Sequence, residues 1–137
     1  MDRKFLNPAG LPNWEQSFSQ IVVCATREAR TIHVSGQVSA GPDRQIVAAG
    51  DLAAQARHAL ANLKMALAAA GASPADVVKL NIYVVNYRPE QAPLVAAALR
   101  EAFPAGRLPA GTWLGVQSLA LADLLIEIDA IAVTAPI

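Results

Sequence analysis

Two carboxylates, Glu127 and Asp129, stand in the stretch LLIEIDAIAV at residues 124–133 with apolar neighbours on every side. Side chains two apart on a strand share a face, so this spacing points both carboxyls the same way. A carboxyl among apolar groups has its pKa raised, which suits proton transfer near neutral pH, and an arginine partner would undo that shift. Glu127 is therefore the candidate general acid/base or water-positioning group, against the plainer reading of a carboxylate solvated at a strand edge. Asp129 reads as a structural or solvated carboxylate. Ser35, followed by Gly36, lies where a strand ends. Its hydroxyl and the Gly36 amide could hold a substrate oxygen, or the serine could bond its own backbone in a turn. Cys24 reads as a small buried hydrophobe, and His33 and His58 make no zinc-like spacing with it, so no metal is expected. Gly36, Gly41 and Gly50 form no phosphate-binding pattern.

The element that carries Glu127 organises the rest. In Leu125 to Val133, Ile126, Ile128, Ala130 and Ala132 alternate to one face, and Leu125, Glu127, Asp129, Ile131 and Val133 take the other. Neither face is cleanly polar, and a strand apolar on both sides needs cover on both. Helices can supply one cover, and another copy of the chain is a natural source of the second. The span Pro109 to Val133 reads as two strands around a short polar break, closing the chain as a hairpin.

Upstream, Pro8, Gly10 and Pro12 punctuate a polar start that allows at most a short strand at Lys4–Leu6. FSQIVVCA and RTIHVSG flank TREA as a hairpin. Asp51 can cap a long helix whose stripe is Leu52, Ala56, Ala59, Leu60, Leu63 and Leu67, with Gly71 as its stop. VVKLNIYVV at 77–85 is a further strand. A second helix spans roughly Glu90 to Phe103, with Leu94, Ala98, Leu99 and Ala102 on its inner side.

A length of 137 residues favours a single domain over 1–137. Hydrophobic residues make up 54% and charged ones 16%, an apolar excess over the usual ~45–50% and ~25% that again points to surface buried between subunits. Eleven basic residues balance eleven acidic ones, which leaves no field to hold a phosphate backbone. Nucleic acid is thus an unfavourable partner. One cysteine, no signal-like start and no uninterrupted apolar span lead to the expectation of a soluble cytoplasmic protein that does not engage a membrane.

Four landmarks, VSGQV at 34–38, DLAAQARHALANLKMALAAAG, SPADVVKLNIYV and IEIDAIAV at 126–133, follow one another in an order and spacing that resemble the Rid family of RidA-like, YjgF-type proteins, also described as endoribonuclease L-PSP. The resemblance runs from about Phe18 to Val133. It implies an α+β, chorismate-mutase-like fold, a mixed β-sheet with two helices packed on one face. It also implies a homotrimer with a central β-barrel and three clefts between subunits. RidA-like enzymes hydrolyse reactive imines and enamines to keto acids and ammonia without a cofactor.

On that resemblance Glu127 is the glutamate that aligns a water, Ser35 and Gly36 belong to the substrate loop, and Phe18 replaces the cleft tyrosine. The family stretch that usually reads like PARSCVEV is PAGTWLGV here. Gly111 stands where the carboxylate-clamping arginine would be, Thr112 where the serine would be and Trp113 where the cysteine would be. An asparagine often found before the second helix corresponds to Arg88. This implies an arginine-lacking branch of the family, because glycine supplies no substitute for a charged hydrogen-bonding pair. Arg88 or Arg107, both in loops near the expected cleft, could reach in to replace the clamp, or could be solvated surface arginines. Trp113 and Phe18 would narrow the pocket or pack an interface. The expectation is an imine or enamine deaminase-type hydrolase of small molecules. Its rivals are a metabolite-binding or protein-stabilising trimer without turnover and, least favoured by the charge balance, a ribonuclease or translation inhibitor.

Overall fold

Six runs rich in β-branched and aliphatic residues form strands, and two runs rich in alanine and leucine form helices, in a computed structural model that describes residues 1–137. The strands are β1 (Asp2–Leu6), β2 (Ile21–Ala25), β3 (Arg30–Val38), β4 (Val77–Val85), β5 (Ala110–Val116) and β6 (Ile126–Thr134). The helices are α1 (Leu52–Ala69) and α2 (Ala92–Ala102), the latter entered through a short 3₁₀ turn at Pro89–Gln91. One mixed sheet holds all the strands in the order β1-β2-β3-β6-β4-β5. The fold is the α+β architecture implied by the Rid resemblance.

The closing hairpin does not form. β5 pairs in parallel with β4, to which α2 connects it, and β6 inserts between β3 and β4, antiparallel to both. The reason lies in the composition of the two strands. β6 has the continuous apolar character of a central strand, while β5, broken by Gly111 and Gly115, becomes a sheet edge. The β2–β3 hairpin forms as read, but β3 runs on to Val38, so Ser35 and Gly36 lie within the strand rather than at its end, and the first strand extends back to Asp2.

α1 lies across β3 and β6, and its whole stripe of Leu52, Ala56, Ala59, Leu60, Leu63 and Leu67 is buried. The partner residues from β6 are Ile126, Ile128, Ala130 and Ala132, all in the same core. Each large aliphatic side chain buried this way contributes about 1.5–3 kcal/mol. Asp51 caps α1, its carboxylate accepting from the Ala54 amide at 2.9 Å, and Gly71 takes the left-handed conformation just past the helix. On α2 the inner residues are Val95 and Ala98, and Leu94 points to solvent. Ala98, Leu99 and Ala102 face the core as read, and only Leu94 gives way to its neighbour Val95.

Buried polar side chains set the ends of the central strands. Arg30 donates to the carbonyls of Ala70 (2.9 Å) and Gly71 (3.1 Å) at the C-terminal end of α1, and to Ala135 (3.3 Å). A cation there satisfies carbonyls that the helix leaves unpaired and complements its dipole. Gln55 of α1 accepts from the Leu125 amide and donates to the Asp123 carbonyl, both at 2.8 Å, which fixes the entry into β6 two residues before Glu127. No helix is long and apolar enough to cross a membrane.

Candidate functional site

The sheet has a covered face under the helices and an open one. Glu127, Asp129, Ile131 and Val133 line the open face of β6, and Val133 is 41% exposed. The alternation is therefore as read, and the second, partly apolar face lacks cover within one chain.

Opposite Asp129, β3 contains a bulge. Val34 pairs with Ala130 and Gln37 with Ile128, so Ser35 and Gly36 together face a single residue of β6. The extra residue brings Gly36 beneath the Glu127 side chain, and a Cβ at that position would overlap the carboxylate. Gly36 is outside the left-handed region, so its requirement is space rather than backbone freedom. Burial pushes the Glu127 carboxyl above its usual range, and the nearby Asp129 charge adds to the effect.

The bulge is tied to the segment before β2. Ser35 donates its hydroxyl to the Ser19 carbonyl at 2.6 Å, and its amide donates to the Gln20 carbonyl at 2.9 Å. The Ser35 proton is thus committed to backbone, which leaves its hydroxyl only an acceptor's role towards any other group. Gln37 donates to the Gln20 side chain at 2.8 Å, and Gln20 to the Pro12 carbonyl at 2.7 Å. Phe18, next to Ser19, is 44% exposed, with its ring 6.4 Å from that of Trp14. Ser35, Gly36 and Glu127 thus meet at the bulge, and Phe18 is the chain neighbour of the Ser19 that anchors it.

The PAGTWLGV residues divide between the two faces. In the parallel β4–β5 ladder Gly111 and Trp113 align with buried Leu80 and Ile82. They border an apolar cavity of about 210 Å³ under α2, with Leu99 and Phe103 on its other wall. The Trp113 ring lies 5.7 Å from that of Tyr87, and its buried Nε1 lacks a hydrogen-bond partner. Thr112 aligns with Asn81 on the open face and accepts from Lys79 Nζ at 2.7 Å. Within one chain, then, Gly111 and Trp113 do not share a face with Glu127.

Neither loop arginine reaches Glu127 in the chain. Arg88 is exposed beyond the end of β4, its backbone amide donating to Gln91 Oε1 at 2.8 Å. Arg107 precedes Ala110, which aligns with Lys79, whereas Glu127 aligns with Tyr83. Four residues of strand, about 13 Å, separate the level of Ala110 from that of Glu127 along the sheet.

Two residues of the open face lie outside the sequence expectation. Asn81 Nδ2 donates to Asp129 Oδ1 at 2.8 Å, and the Tyr83 hydroxyl donates to Asp129 Oδ2 at 3.3 Å. Tyr83 sits directly opposite Glu127. Its phenol is raised, first by burial and then by the charge and hydrogen bond of Asp129. The signal was available: Lys79, Asn81 and Tyr83 alternate in an otherwise apolar strand, which marks a polar face. Cys24 is half-buried on β2, and no three metal-ligating side chains converge anywhere in the chain.

The chain as a whole is similar to a defined set of relatives. The family model described as Endoribonuclease L-PSP matches residues 11–134. A protein named 3-aminoacrylate deaminase RutC from Acinetobacter baylyi is 32% identical over 132 residues, covering 96% of this chain and 98% of that one. One named 2-iminobutanoate/2-iminopropanoate deaminase from Rattus norvegicus is 31% identical over 134 residues, covering 98% and 92%. Among solved structures, YyfB of the conserved Rid protein family from Yersinia pestis, a protein of unknown function, is 41% identical with a TM-score of 0.74 and coverage of 96% and 98%. Yeast Mmf1 superposes with a TM-score of 0.82 at 26% identity, over 96% and 98% of the two chains. The chain belongs to the Rid family, the family whose model is described as Endoribonuclease L-PSP.

Proposed function

We propose that this chain is a deaminase-type hydrolase of small imines or enamines, working without a cofactor in clefts between copies of a homotrimer, with Glu127 as its acid/base. The observation that carries the reading is the Glu127 carboxyl, seated over Gly36 in the β3 bulge and raised by burial. A carboxyl raised by burial is a better proton donor to a substrate nitrogen or carbon than a solvated one is, and as its carboxylate it takes a proton back. Two relatives named as deaminases, similar over nearly the whole chain, support the reaction class.

In the proposed sequence Glu127 first gives its proton to the imine nitrogen, or to the β-carbon of an enamine, forming an iminium. Water then adds to the iminium carbon, its oxygen forming the new bond, the C=N pair returning to nitrogen and its proton passing to Glu127. Glu127 next protonates the amine nitrogen of this carbinolamine. The C–N bond breaks, ammonia leaves with the bonding pair, and the hydroxyl proton returns to Glu127 as the carbonyl forms. One water is consumed and one ammonia released.

The division of the PAGTWLGV residues supports a shared cleft. Gly111 and Trp113 join Glu127 at one site only if they come from a second copy packed on the half-open β6 face. Ser35, Gly36, Phe18, Thr112 and Arg88 complete our assignment of the ligand-facing set. We place the chain in an arginine-lacking branch, since Gly111 stands where the family's arginine would and carries no charge. A substrate without a carboxylate suits such a cleft better than an amino-acid-derived one. The zero net charge does not favour RNA as substrate.

The test is ammonia release from a panel of small imines, with and without a carboxylate, by wild type, Glu127→Gln and Gly111→Arg. Turnover of the uncharged imines that falls ~10²–10⁴-fold in Glu127→Gln supports the proposal. Equal rates for wild type and Glu127→Gln would leave a binding trimer without turnover as the reading.

A further inference from the structure

Glu127 and Asp129 are two carboxyls on one strand face in unequal surroundings. Asp129 accepts on both oxygens from β4, at 2.8 Å from Asn81 Nδ2 and at 3.3 Å from the Tyr83 hydroxyl. Asn81 and Tyr83 are the direct ladder partners of Asp129 and Glu127, so the backbone register holds these donors in place. The Glu127 carboxyl lies instead over Gly36, with no side-chain donor of its own. Neighbouring carboxyls whose environments differ this way divide into one that stays an acceptor and one that carries the proton.

We propose that Asn81 and Tyr83 lock Asp129 as the acceptor-only member of a carboxyl pair, and that Asp129 is thereby the positioning residue that leaves the pair's proton on Glu127. This rests on the proposed role of Glu127 and adds which neighbours assign it. The other groups on this face do not compete for the role. Lys79 of β4 bonds Thr112, and His33 of β3 is exposed and pairs with Ile131. Gly36 and Val38 of β3, which border Glu127, carry no charge. Removing the Asp129 charge therefore removes the main electrostatic support for a protonated Glu127, while burial continues to act.

The experiment is a pH titration of the Glu127 side-chain carboxyl carbon by NMR in wild type, Asp129→Asn and Tyr83→Phe, beside the pH–rate profile of each. In Asp129→Asn the Glu127 midpoint should fall, and the alkaline limb of the rate profile should move to lower pH with it. Tyr83→Phe frees one oxygen of Asp129 and should move both in the same direction by less. A Glu127 midpoint unchanged in Asp129→Asn overturns the proposal. Should Asp129→Asn not fold, an unchanged midpoint in Tyr83→Phe overturns it alone. If the midpoint falls while Glu127→Gln keeps full activity, the carboxyl pair stands and the proposed reaction role of Glu127 fails. The two failures are thus separable.

Discussion

The Gly36→Ala substitution isolates the placement of Glu127 from its chemistry. An alanine Cβ at this position would stand 2.5 Å from Glu127 Cδ and 2.8 Å from Cγ, in addition to overlapping an oxygen. Ordinary contact begins near 3.4 Å. The overlapping oxygen must therefore retreat by more than about 1 Å, and a displacement of about 1 Å is already worth about 10²-fold in rate for a group that must meet a reacting atom. Backbone strain does not contribute, because Gly36 is not in the left-handed region. The side chain escapes by changing rotamer at a cost of about 0.5–1.5 kcal/mol, a minor loss for a domain whose stability is ~5–15 kcal/mol. We predict a ~10²-fold loss of imine hydrolysis in Gly36→Ala with a melting temperature within a few degrees of wild type, measured by ammonia release and thermal unfolding. Full activity in a normally folded variant would refute the claim that Gly36 exists to seat the Glu127 carboxyl.

Glu127→Gln should be more stable than wild type at neutral and alkaline pH. The folded-state pKa is raised above its unfolded value, so the wild-type stability is fully present below the unfolded value and is lost as pH rises through the folded one. Unfolding curves of the two proteins should converge in acid and separate as pH increases. Arg30→Ala leaves three carbonyls without their charged donor and should destabilise the fold by about 2–4 kcal/mol in denaturant titration, with little change in activity per folded molecule. Gly111→Arg places a guanidinium where the chain has open space, and should tighten binding of small carboxylates at least ~10-fold by calorimetry while leaving neutral ligands unaffected.

The alternation of LLIEIDAIAV and the stripe of α1 were legible because burial imposes a period on the residues that meet it, and the structure buries those residues. The pairing of the last strands was not. The composition of Pro109–Val133 sorts a central strand from an edge strand but does not name the partner of either, and long-range apolar burial decided that. For the same reason the sequence resemblance grouped Gly111, Thr112 and Trp113, although strand alternation sends Thr112 to the opposite face from the other two. The role of Gly36 was hidden until the bulge was seen, since a glycine's reason for being small lies in its neighbour. Asn81 and Tyr83 mark a polar face of β4 in the sequence, but not which group that face serves. Their hydrogen bonds to Asp129 emerge only from the β4–β6 register.

A crystal soaked with a small keto acid or amide, the product and neutral analogues of the proposed reaction, examines the central claim most directly. The prediction is density within hydrogen-bond reach of the Glu127 carboxyl, bounded on its far side by Gly111 and Trp113 of a second copy. A protomer that crystallises and remains in solution as a monomer, with the ligand elsewhere and Glu127 open to water, would contradict it.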